Sequence, residues 1–299
     1  MSSRIAHGRL ATVALVSAGL LGAPSATPSP SPAPVFELHR TAAAAHSDPF
    51  QVNPLFVLVV GSDVREGDPE RGRADSLHLI SLNTSAMRGT ILGIPRDVQV
   101  DIPGQGPGRI NSALQHGGIN RLVEAVSKMA GVPIHYWALT EFTRFRKLVD
   151  DLGGLEVTVP YPITEPLSGA NFPAAGPRRM GGVDALAFAR VRYGIPGGDF
   201  GRTLNQGTML QAALASFQSG TRDPKSLLRW LKAFRAHVHT DVPVKDLVKL
   251  AKLGLGIHSG AMANAALPAV PGSAGGASVA FLAPEAGPML QNFRDDGML

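Results

Sequence analysis

The segment Leu55-Phe-Val-Leu-Val-Val-Gly-Ser-Asp63 decides the fold class. Its first six residues are all apolar, so none of them is suited to a solvent-facing surface. A continuous apolar run of this length, closed by glycine and polar residues, is typical of a strand that is buried on both faces. Strands of this kind occur in sheets that carry helices on either side. The segment therefore predicts an α/β protein.

The patterns that follow this strand favour the same fold class. Residues 76–82 alternate between polar and apolar side chains, and residues 90–94 are predicted to form a third strand. Further predictions are short strands at 98–102, 136–140 and 155–159, helices at 119–130, 141–152, 183–190, 204–218, 224–236 and 244–253, loops at 103–108 and 160–180, one or two weak strands within 262–283, and a closing helix at 284–293. This order predicts a sandwich of helices around a mixed sheet.

The N-terminal part of the chain differs in composition from the rest. Arg4 and Arg9 precede an apolar run from Leu10 to Ala23, a pattern typical of a secretory signal. The run is shorter than the roughly 20 residues that span a bilayer. We therefore expect an exported protein with a signal peptide or short anchor at 1–26, a Pro/Ser/Ala-rich linker at 27–49 and one folded domain at 50–299.

The amino-acid composition favours some classes of function and excludes others. Hydrophobic residues make up 44% of the 299 residues, which is enough for one sizeable core. The formal net charge of +5 favours anionic partners such as phosphates or anionic lipids. Because the chain has no cysteine, disulfides, thiolate zinc sites and cysteine nucleophiles are excluded.

Two acidic residues lie at the boundaries of the first two predicted strands. Asp63 directly follows the buried strand, and Asp75 directly precedes the next one. If these strands are antiparallel neighbours, both carboxylates lie at the same end of the sheet. Mg²⁺ binds to one or two carboxylates and keeps its other positions for water and substrate phosphates. A role in closing turns remains the alternative, because Asp is common where strands end.

Five arginine residues also lie at the predicted ends of strands and helices. Arginine stays charged at neutral pH and binds phosphate oxygens bidentately. A group of arginines beside two acids is typical of a pyrophosphate site. The five residues are Arg73, Arg96, Arg190, Arg192 and Arg202. Asp97 follows Arg96 directly and is interpreted as a partner that orients this arginine.

Seven short motifs follow one another along the chain: Val59-Val-Gly-Ser-Asp-Val-Arg65, Arg73-Ala-Asp75, Gly93-Ile-Pro-Arg-Asp97, Arg109-Ile-Asn111 with Gly117-Gly118, Leu152-Gly-Gly-Leu-Glu-Val157, Ala187-Phe-Ala-Arg-Val-Arg192 and Gly198-Asp-Phe-Gly-Arg202 with Gln206. In type and order they resemble the motifs of the LytR-CpsA-Psr (LCP) family of cell-wall glycopolymer ligases. Each motif is short, but seven in order are specific. Ser278-Val-Ala-Phe-Leu282 is also similar to the closing strand of that family.

The resemblance implies a fold and a role for each matched residue. The fold is a three-layer α/β/α sandwich with an apolar tunnel for a polyprenyl tail. Mg²⁺ or Mn²⁺ would be held by Asp63 and Asp75. The catalytic residues that bind the pyrophosphate would be Arg73, Arg96, Arg190, Arg192 and Arg202. Further substrate contacts would come from Arg65, Asp97, Arg109 and Gln206.

The resemblance also implies a reaction and its partners. A glycopolymer would be transferred from a polyprenyl-pyrophosphate carrier to a sugar hydroxyl of peptidoglycan, with release of polyprenyl phosphate. The expected partners are the lipid-linked glycopolymer, the peptidoglycan acceptor and the outer face of the cytoplasmic membrane. Nucleic acid is not expected, because the predicted signal places the protein outside the cytoplasm.

Two other functions stay open on the sequence alone. One is a non-catalytic polyprenyl-phosphate binder or regulator, and the other is a hydrolase in which water replaces the sugar hydroxyl. The chain also departs from the family pattern. Asn205-Gln206-Gly207 stands where Arg-Gln-Gln is usual, and Arg73-Ala-Asp-Ser76 stands where Arg-Ser-Asp-Thr is usual. Gly207 would weaken a helix by about 1 kcal/mol relative to alanine.

Overall fold

The computed structural model describes residues 51–299, so the predictions for 1–26 and 27–49 lie outside the described residues. This part of the chain contains fourteen strands and seven α-helices. The strands are β1 (Leu55–Ser62), β2 (Ala74–Asn83), β3 (Arg88–Gly93), β4 (Gln99–Ile102), β5 (Gly106–Arg109), β6 (Tyr136–Glu141), β7 (Leu155–Val159), β8 (Ile163–Glu165), β9 (Ala170–Phe172), β10 (Gly176–Met180), β11 (His239–Thr240), β12 (Met262–Ala266), β13 (Ala269–Ala274) and β14 (Ala277–Leu282). The helices are α1 (Ser112–Ala130), α2 (Phe142–Asp151), α3 (Gly182–Arg190), α4 (Asp199–Gly220), α5 (Pro224–His237), α6 (Val244–Gly256) and α7 (Ala286–Asp296).

A six-stranded mixed sheet forms the centre of the fold, with the strand order β11-β6-β1-β2-β3-β12. β1 pairs antiparallel with β2 and parallel with β6, and β12 pairs parallel with β3. Asp63 and Asp75 therefore lie at the same end of the sheet, where β1 ends and β2 begins. The predicted mixed sheet is confirmed.

Helices cover both faces of this sheet because β1 has apolar side chains on both. Phe56 and Leu58 pack into a core that they share with α1 and α7. Leu55 and Val57 point to the opposite face and pack with residues of α5 and α6. The predicted three-layer α/β/α sandwich is thus confirmed. No helix among the described residues combines the length and hydrophobicity needed to cross a bilayer.

Regions predicted as loops contain short strands. Residues 103–108 include most of β5, which pairs with β4, and residues 160–180 include β8, β9 and β10. Residues 262–283 hold three strands, of which β13 and β14 form a hairpin outside the central sheet. Most of these strands are short or contain Gly, Pro or charged residues, so they lack the alternation on which a strand prediction depends.

Helix α4 begins at Asp199, whereas the sequence predicts a helix from residue 204. Gly198 precedes the helix with a positive φ of 52°. Gly201 approaches the preceding segment so closely that a Cβ would lie 2.1 Å from the carbonyl oxygen of Pro196. These glycines reduce the helix propensity of the segment, so the sequence pattern does not reveal where the helix begins. The early start places Arg202 in the first turn of α4.

Gly207 in α4 is required by packing, and this leads to a prediction. A Cβ at this position would lie 2.0 Å from Asn264 Oδ1. The Asn264 amide is held there because Nδ2 donates to the Leu204 carbonyl at 3.0 Å and to Thr208 Oγ1 at 3.3 Å. We expect Gly207→Ala to lower the free energy of unfolding by roughly 1–3 kcal/mol, since overpacking outweighs the gain in helix propensity.

Urea unfolding of two pairs of proteins measures this effect. In an Asn264→Ala background the clash is absent, so Gly207→Ala should there be neutral or stabilising. Equal destabilisation in both backgrounds would show that the contact with Asn264 is not the cause.

Candidate active site

A cavity of about 510 Å³ lies between the central sheet and the helices on the α4 side. Most of its wall is apolar. The apolar lining includes Leu148 and Leu152 at α2, Met209 and Ala213 of α4, and Trp230 and Phe234 of α5. A cavity of this size and composition suits an extended apolar ligand.

Several of the predicted site residues belong to the polar part of the wall. Six of the eleven predicted site residues lie here: Asp75, Arg96, Arg190, Arg192, Arg202 and Gln206. They are carried by the start of β2, the segment after β3, the end of α3 and the start of α4. The fold therefore brings four of the predicted arginines and one of the predicted acids to a single cavity.

Asp75, Arg96, Asp199 and Arg202 form one connected network. Arg96 Nη1 donates to Asp75 Oδ1 at 2.7 Å, and Arg96 Nη2 lies 3.8 Å from Asp199 Oδ1. Arg202 Nη2 donates to Asp199 Oδ2 at 3.0 Å and lies 2.8 Å from Oδ1. Asp199 thus bridges two guanidinium groups that would otherwise repel each other.

Burial and neighbouring charges act differently on the two arginines. Burial alone would lower the pKa of Arg96, but the carboxylates of Asp75, Asp199 and Asp97 together raise it. Arg202 is only 5% exposed, and burial lowers its pKa, while Asp199 acts in the opposite direction. Arginine remains protonated at neutral pH even so. The site therefore holds two fixed positive charges in a partly dehydrated environment.

Both arginines also have an Nε–H donor that makes no hydrogen bond to another described residue, although Asp97 Oδ2 lies 3.6 Å from that of Arg96. The Nε–H groups of Arg96 and Arg202 are buried, and neither has a hydrogen-bond partner within residues 51–299. Buried N–H groups without an acceptor cost about 1–3 kcal/mol each. An anionic ligand with several oxygens could supply the missing acceptors after a small side-chain movement.

Arg190 and Arg192 approach the cavity from the end of α3. Val191 between them is fully buried, which holds this short segment in place. The Arg190 guanidinium lies 5.1 Å from the centre of the Phe142 ring, and that of Arg192 lies 4.6 Å from the centre of the Tyr193 ring. Aromatic contacts of this kind orient a guanidinium group without occupying its N–H donors.

Gln206 joins α4 to the end of α3. Its Nε2 donates to the Ala189 carbonyl at 2.9 Å. Gln206 therefore has a structural role, because this bond fixes the position of the arginine segment that follows Ala189. Its role as a substrate contact stays a prediction.

Five predicted residues lie outside the cavity lining, and three of them, Asp63, Arg65 and Arg73, belong to the segment between β1 and β2. Arg73 N–H donates to Asp63 Oδ1 at 2.8 Å, and Asp63 N–H donates to the Arg73 carbonyl at 3.0 Å. Asp63 therefore closes the turn that joins β1 to β2, which is the alternative weighed from the sequence. The Arg73 and Arg65 side chains are exposed. The Arg65 carbonyl accepts a hydrogen bond from Thr143 Oγ1 at 2.5 Å.

Asp97 and Arg109 form a layer behind Arg96. Asp97 Oδ2 lies 3.6 Å from Arg96 Nε, and Arg109 Nη1 donates to Asp97 Oδ1 at 3.3 Å. Neither residue lines the cavity. Asp97 is therefore in a position to orient Arg96, and Arg109 is in a position to orient Asp97.

Two acidic residues of the site were missed as functional residues by the sequence reasoning. The spacing of Asp199 and Arg202, three positions apart in a helix, is a signal that could have identified Asp199. Glu165 is buried, lines the cavity and accepts hydrogen bonds from the backbone N–H groups of Ser168 at 2.6 Å and Tyr193 at 3.4 Å. Burial opposes ionisation of Glu165, but these hydrogen bonds lower its pKa.

The chain offers limited ligands for the expected metal ion. Within residues 51–299 no group of three or more His, Cys, Asp or Glu side chains is arranged to hold one. Asp75 lines the cavity, and Asp63 lies at the same end of the sheet. One or two carboxylates are the usual protein contribution to a magnesium site that also binds substrate phosphates. These residues fit such an ion if a phosphorylated ligand completes its coordination.

His78 connects the sheet to α4 beneath the site. His78 is fully buried, and its Nε2 lies 3.1 Å from the Thr203 carbonyl. A carbonyl only accepts, so Nε2 carries the proton and Nδ1 accepts from Ser76 Oγ at 3.3 Å. Burial lowers the pKa of His78 to about 4. The imidazole ring of His78 is therefore neutral at a pH near 7.

The buried histidine predicts a pH-dependent stability. The unfolded chain binds a proton at His78 below pH 6.5, whereas the folded protein does so only near pH 4. The contribution of His78 to the free energy of unfolding is therefore fully present above pH 6.5. It is lost as the pH falls towards 4, by about 3 kcal/mol in total. In urea unfolding between pH 4 and 7, His78→Gln should show a correspondingly flatter dependence. Parallel curves for both proteins would contradict this result.

A protein-family model and several curated proteins are similar to this chain. A model of the LytR_cpsA_psr family matches residues 36–292. The polyisoprenyl-teichoic acid–peptidoglycan teichoic acid transferase TagU of Bacillus cereus strain AH820 is 38% identical over 172 residues, which are 56% of this chain and 55% of that protein. TagU of Bacillus licheniformis is 33% identical over 163 residues, 54% of this chain and 52% of the relative. The chain spans about half the length of the curated relatives it matches.

Solved structures show the same architecture. Bacillus subtilis TagV has a TM-score of 0.71 at 24% identity, over 82% of this chain and 97% of that one. A LytR-Csp2A-Psr enzyme from Actinomyces oris has a TM-score of 0.65 at 23% identity, over 85% of this chain and 91% of that one. At these identities the likeness shows a shared fold. Since the family model extends over most of the chain, the protein belongs to the LytR-CpsA-Psr family.

Proposed function

We propose that this protein is a phosphotransferase that moves a glycopolymer from a polyprenyl-pyrophosphate carrier onto peptidoglycan and releases polyprenyl phosphate. One observation carries the proposal: four arginines and Asp75 line the same cavity as a wall of apolar side chains. A ligand that matches both parts has an anionic head and a long apolar tail. The names of the TagU relatives, which describe polyisoprenyl-linked teichoic acid and peptidoglycan, support this ligand class.

The reaction that fits this site is a displacement at phosphorus. A sugar hydroxyl of peptidoglycan attacks the phosphorus that carries the glycopolymer, forming a new P–O bond. The bond to the bridging oxygen of the pyrophosphate breaks, and the proton of the hydroxyl is lost to solvent. Negative charge then develops on the departing polyprenyl phosphate. Arg96 and Arg202 would stabilise this charge, and Arg190 and Arg192 would hold the other phosphate.

We further propose that Mg²⁺ or Mn²⁺ assists this reaction. Asp75, with Asp63 at the same sheet end, would hold the ion against the pyrophosphate oxygens. The ion would supply neutralisation of charge on the leaving phosphate. The network of Asp75 with Arg96 supports the assignment, because it places the carboxylate beside the arginine that would bind the same phosphate.

The proposed location is outside the cytoplasm, at the outer face of the cytoplasmic membrane. The basic residues and apolar run at the N-terminus support export. Peptidoglycan as the acceptor requires the same location. Cleavage of the N-terminal segment and its retention as an anchor are both compatible with this proposal.

A transfer assay with purified components tests the activity. The full chain is incubated with a polyprenyl-pyrophosphate-linked saccharide and soluble peptidoglycan fragments, and products are separated by mass. Saccharide joined to the fragments through a phosphodiester supports the transferase. Saccharide phosphate released in equal amounts without fragments would identify a hydrolase, and binding without turnover would identify a non-catalytic binder.

The apolar part of the cavity leads to a prediction on substrate length. Ala213 lines the cavity from α4. We expect Ala213→Trp to raise KM for a long polyprenyl donor by roughly tenfold or more, because a bulky ring fills space that the tail needs. A donor with a tail of one or two isoprene units should be affected little. Thermal unfolding controls for damage to the fold. An equal effect on both donors would contradict occupation of this cavity by the tail.

A further inference from the structure

Helices α5 and α6 carry an unusual concentration of positive charge. Five of the seven lysine residues of the chain lie between positions 225 and 252. With the arginines of the same region, the basic residues are Arg222, Lys225, Arg229, Lys232, Arg235, Lys245, Lys249 and Lys252. The acidic residues of 222–256 are Asp223, Asp241 and Asp246, of which the last two are buried. The exposed sides of these helices are therefore strongly basic.

The spacing of these residues follows the helix period. Lys225, Arg229, Lys232 and the exposed Ala236 recur every three or four positions, so they share one side of α5. Lys245, Lys249 and Lys252 do the same on α6. We call the exposed side chains Lys225, Leu228, Arg229, Lys232, Val244, Lys245, Lys249 and Lys252 the α5–α6 surface.

Apolar side chains are interspersed among these charges. Leu228 is 51% exposed and Val244 is 60% exposed. Large apolar residues that remain exposed between lysines and arginines are typical of surfaces that lie on a lipid bilayer. A purely electrostatic surface for a soluble polyanion would not require them.

The opposite side of α5 faces the cavity. Trp230 and Phe234 of α5 line the apolar part of its wall. Leu231 of α5 packs in the same cluster as Leu247 and Leu250 of α6, so both helices cover the same face of the sheet. One helix therefore separates the apolar cavity from the basic surface.

We propose that the α5–α6 surface docks on an anionic membrane. Its lysines and arginines would meet lipid phosphates, and Leu228 and Val244 would enter the boundary between headgroups and acyl chains. Each basic residue near an anionic bilayer adds to the binding free energy, and several together give stable attachment. Docking would place the cavity wall formed by α5 next to the bilayer that contains the apolar tails of lipid-linked substrates.

The absence of cysteine from the chain allows a local test with the full protein. Ala236→Cys places a single thiol on the basic side of α5, and Gln105→Cys places one on the β4–β5 turn, which packs with α1 on the other face of the sheet. Each is labelled with the same environment-sensitive fluorophore. Vesicles of phosphatidylglycerol should increase and blue-shift emission at position 236 only, and phosphatidylcholine vesicles should have little effect. Binding through the N-terminal segment alone would give no such difference and would overturn the proposal.

Charge variants complete the test. In the Ala236→Cys protein, replacing Arg229, Lys232 and Lys252 by Gln should abolish the change in emission. The matched control replaces three exposed basic residues elsewhere, Arg71, Arg88 and Lys128, and should retain it. If both triple variants lost the change in emission equally, net charge and not the α5–α6 surface would explain binding, and the proposal would be overturned. An equal blue shift with soluble polyphosphate would assign the surface to an anionic polymer instead. The readout is binding, so its outcome is independent of transferase activity.

Discussion

Arg202→Lys is expected to lower the rate of glycopolymer transfer by at least about 100-fold while the protein stays folded. Lysine keeps the positive charge next to Asp199, so this partly buried carboxylate keeps a cationic neighbour. It loses the planar fork that binds two phosphate oxygens at once. Removing one well-placed donor to a transition-state anion costs about 100- to 1000-fold in rate. The effect should therefore appear mainly in kcat.

Arg71→Lys is the matched control, because Arg71 lies on the surface with its side chain 85% exposed. It should leave transfer unchanged. Kinetics with a lipid-linked donor, together with thermal unfolding, separate a catalytic effect from an unstable fold. A normal kcat for Arg202→Lys, or a loss that follows a large decrease in unfolding temperature, would remove Arg202 from the reaction.

Asp75→Asn is expected to reduce transfer by about 1000-fold or more, and chelation of divalent ions with EDTA should do the same to the unchanged protein. Asn keeps the size of the side chain and an oxygen that can accept from Arg96. It lacks the charge that would hold a divalent ion. Stability should change little, because the carboxylate is partly exposed and belongs to a site with other acids.

Asp63→Asn separates metal binding from turn closure. Asn can still accept the hydrogen bond from Arg73 N–H, so the turn is preserved. Loss of transfer at an unchanged unfolding temperature would support Asp63 as a metal ligand. Lower stability with full turnover would show that Asp63 only closes the turn. Asp101→Asn, on an exposed pair with Lys128, serves as the control. Full activity in EDTA would contradict the metal proposal.

The sheet could be predicted from the sequence because its strands have strong local patterns. The first six residues of β1 form a continuous apolar run, and its neighbour β2 alternates over most of its length. Apolar side chains at these positions indicate burial, and most residues of a central strand are at least partly buried. The same reasoning missed β5, which contains two glycines and a proline, and the β8–β9 hairpin, whose strands are only three residues long.

The candidate site could be predicted only in part. Arginines at the ends of strands and helices were visible as a group, and four of the five line the cavity. The direction of a side chain at a strand end is set by local hydrogen bonds, which a sequence pattern does not reveal. Asp63 is an example, since its carboxylate accepts from the turn. The cavity itself depends on how α2, α4 and α5 pack against one another and the sheet. No local sequence pattern encodes the spacing between these elements.

The division of the cavity wall between different elements has an evolutionary consequence. The charged part is carried by sheet ends and the starts or ends of α3 and α4, whereas much of the apolar part is carried by α2 and α5. Of α5, only Ala233 is buried, and Trp230, which lines the cavity, is partly exposed, so its side chain can be exchanged with limited loss of core packing. If the protein has the proposed function, natural variation in the apolar part can alter the accepted tail without disturbing phosphate binding. Related enzymes could diverge in lipid preference while their chemistry stays the same.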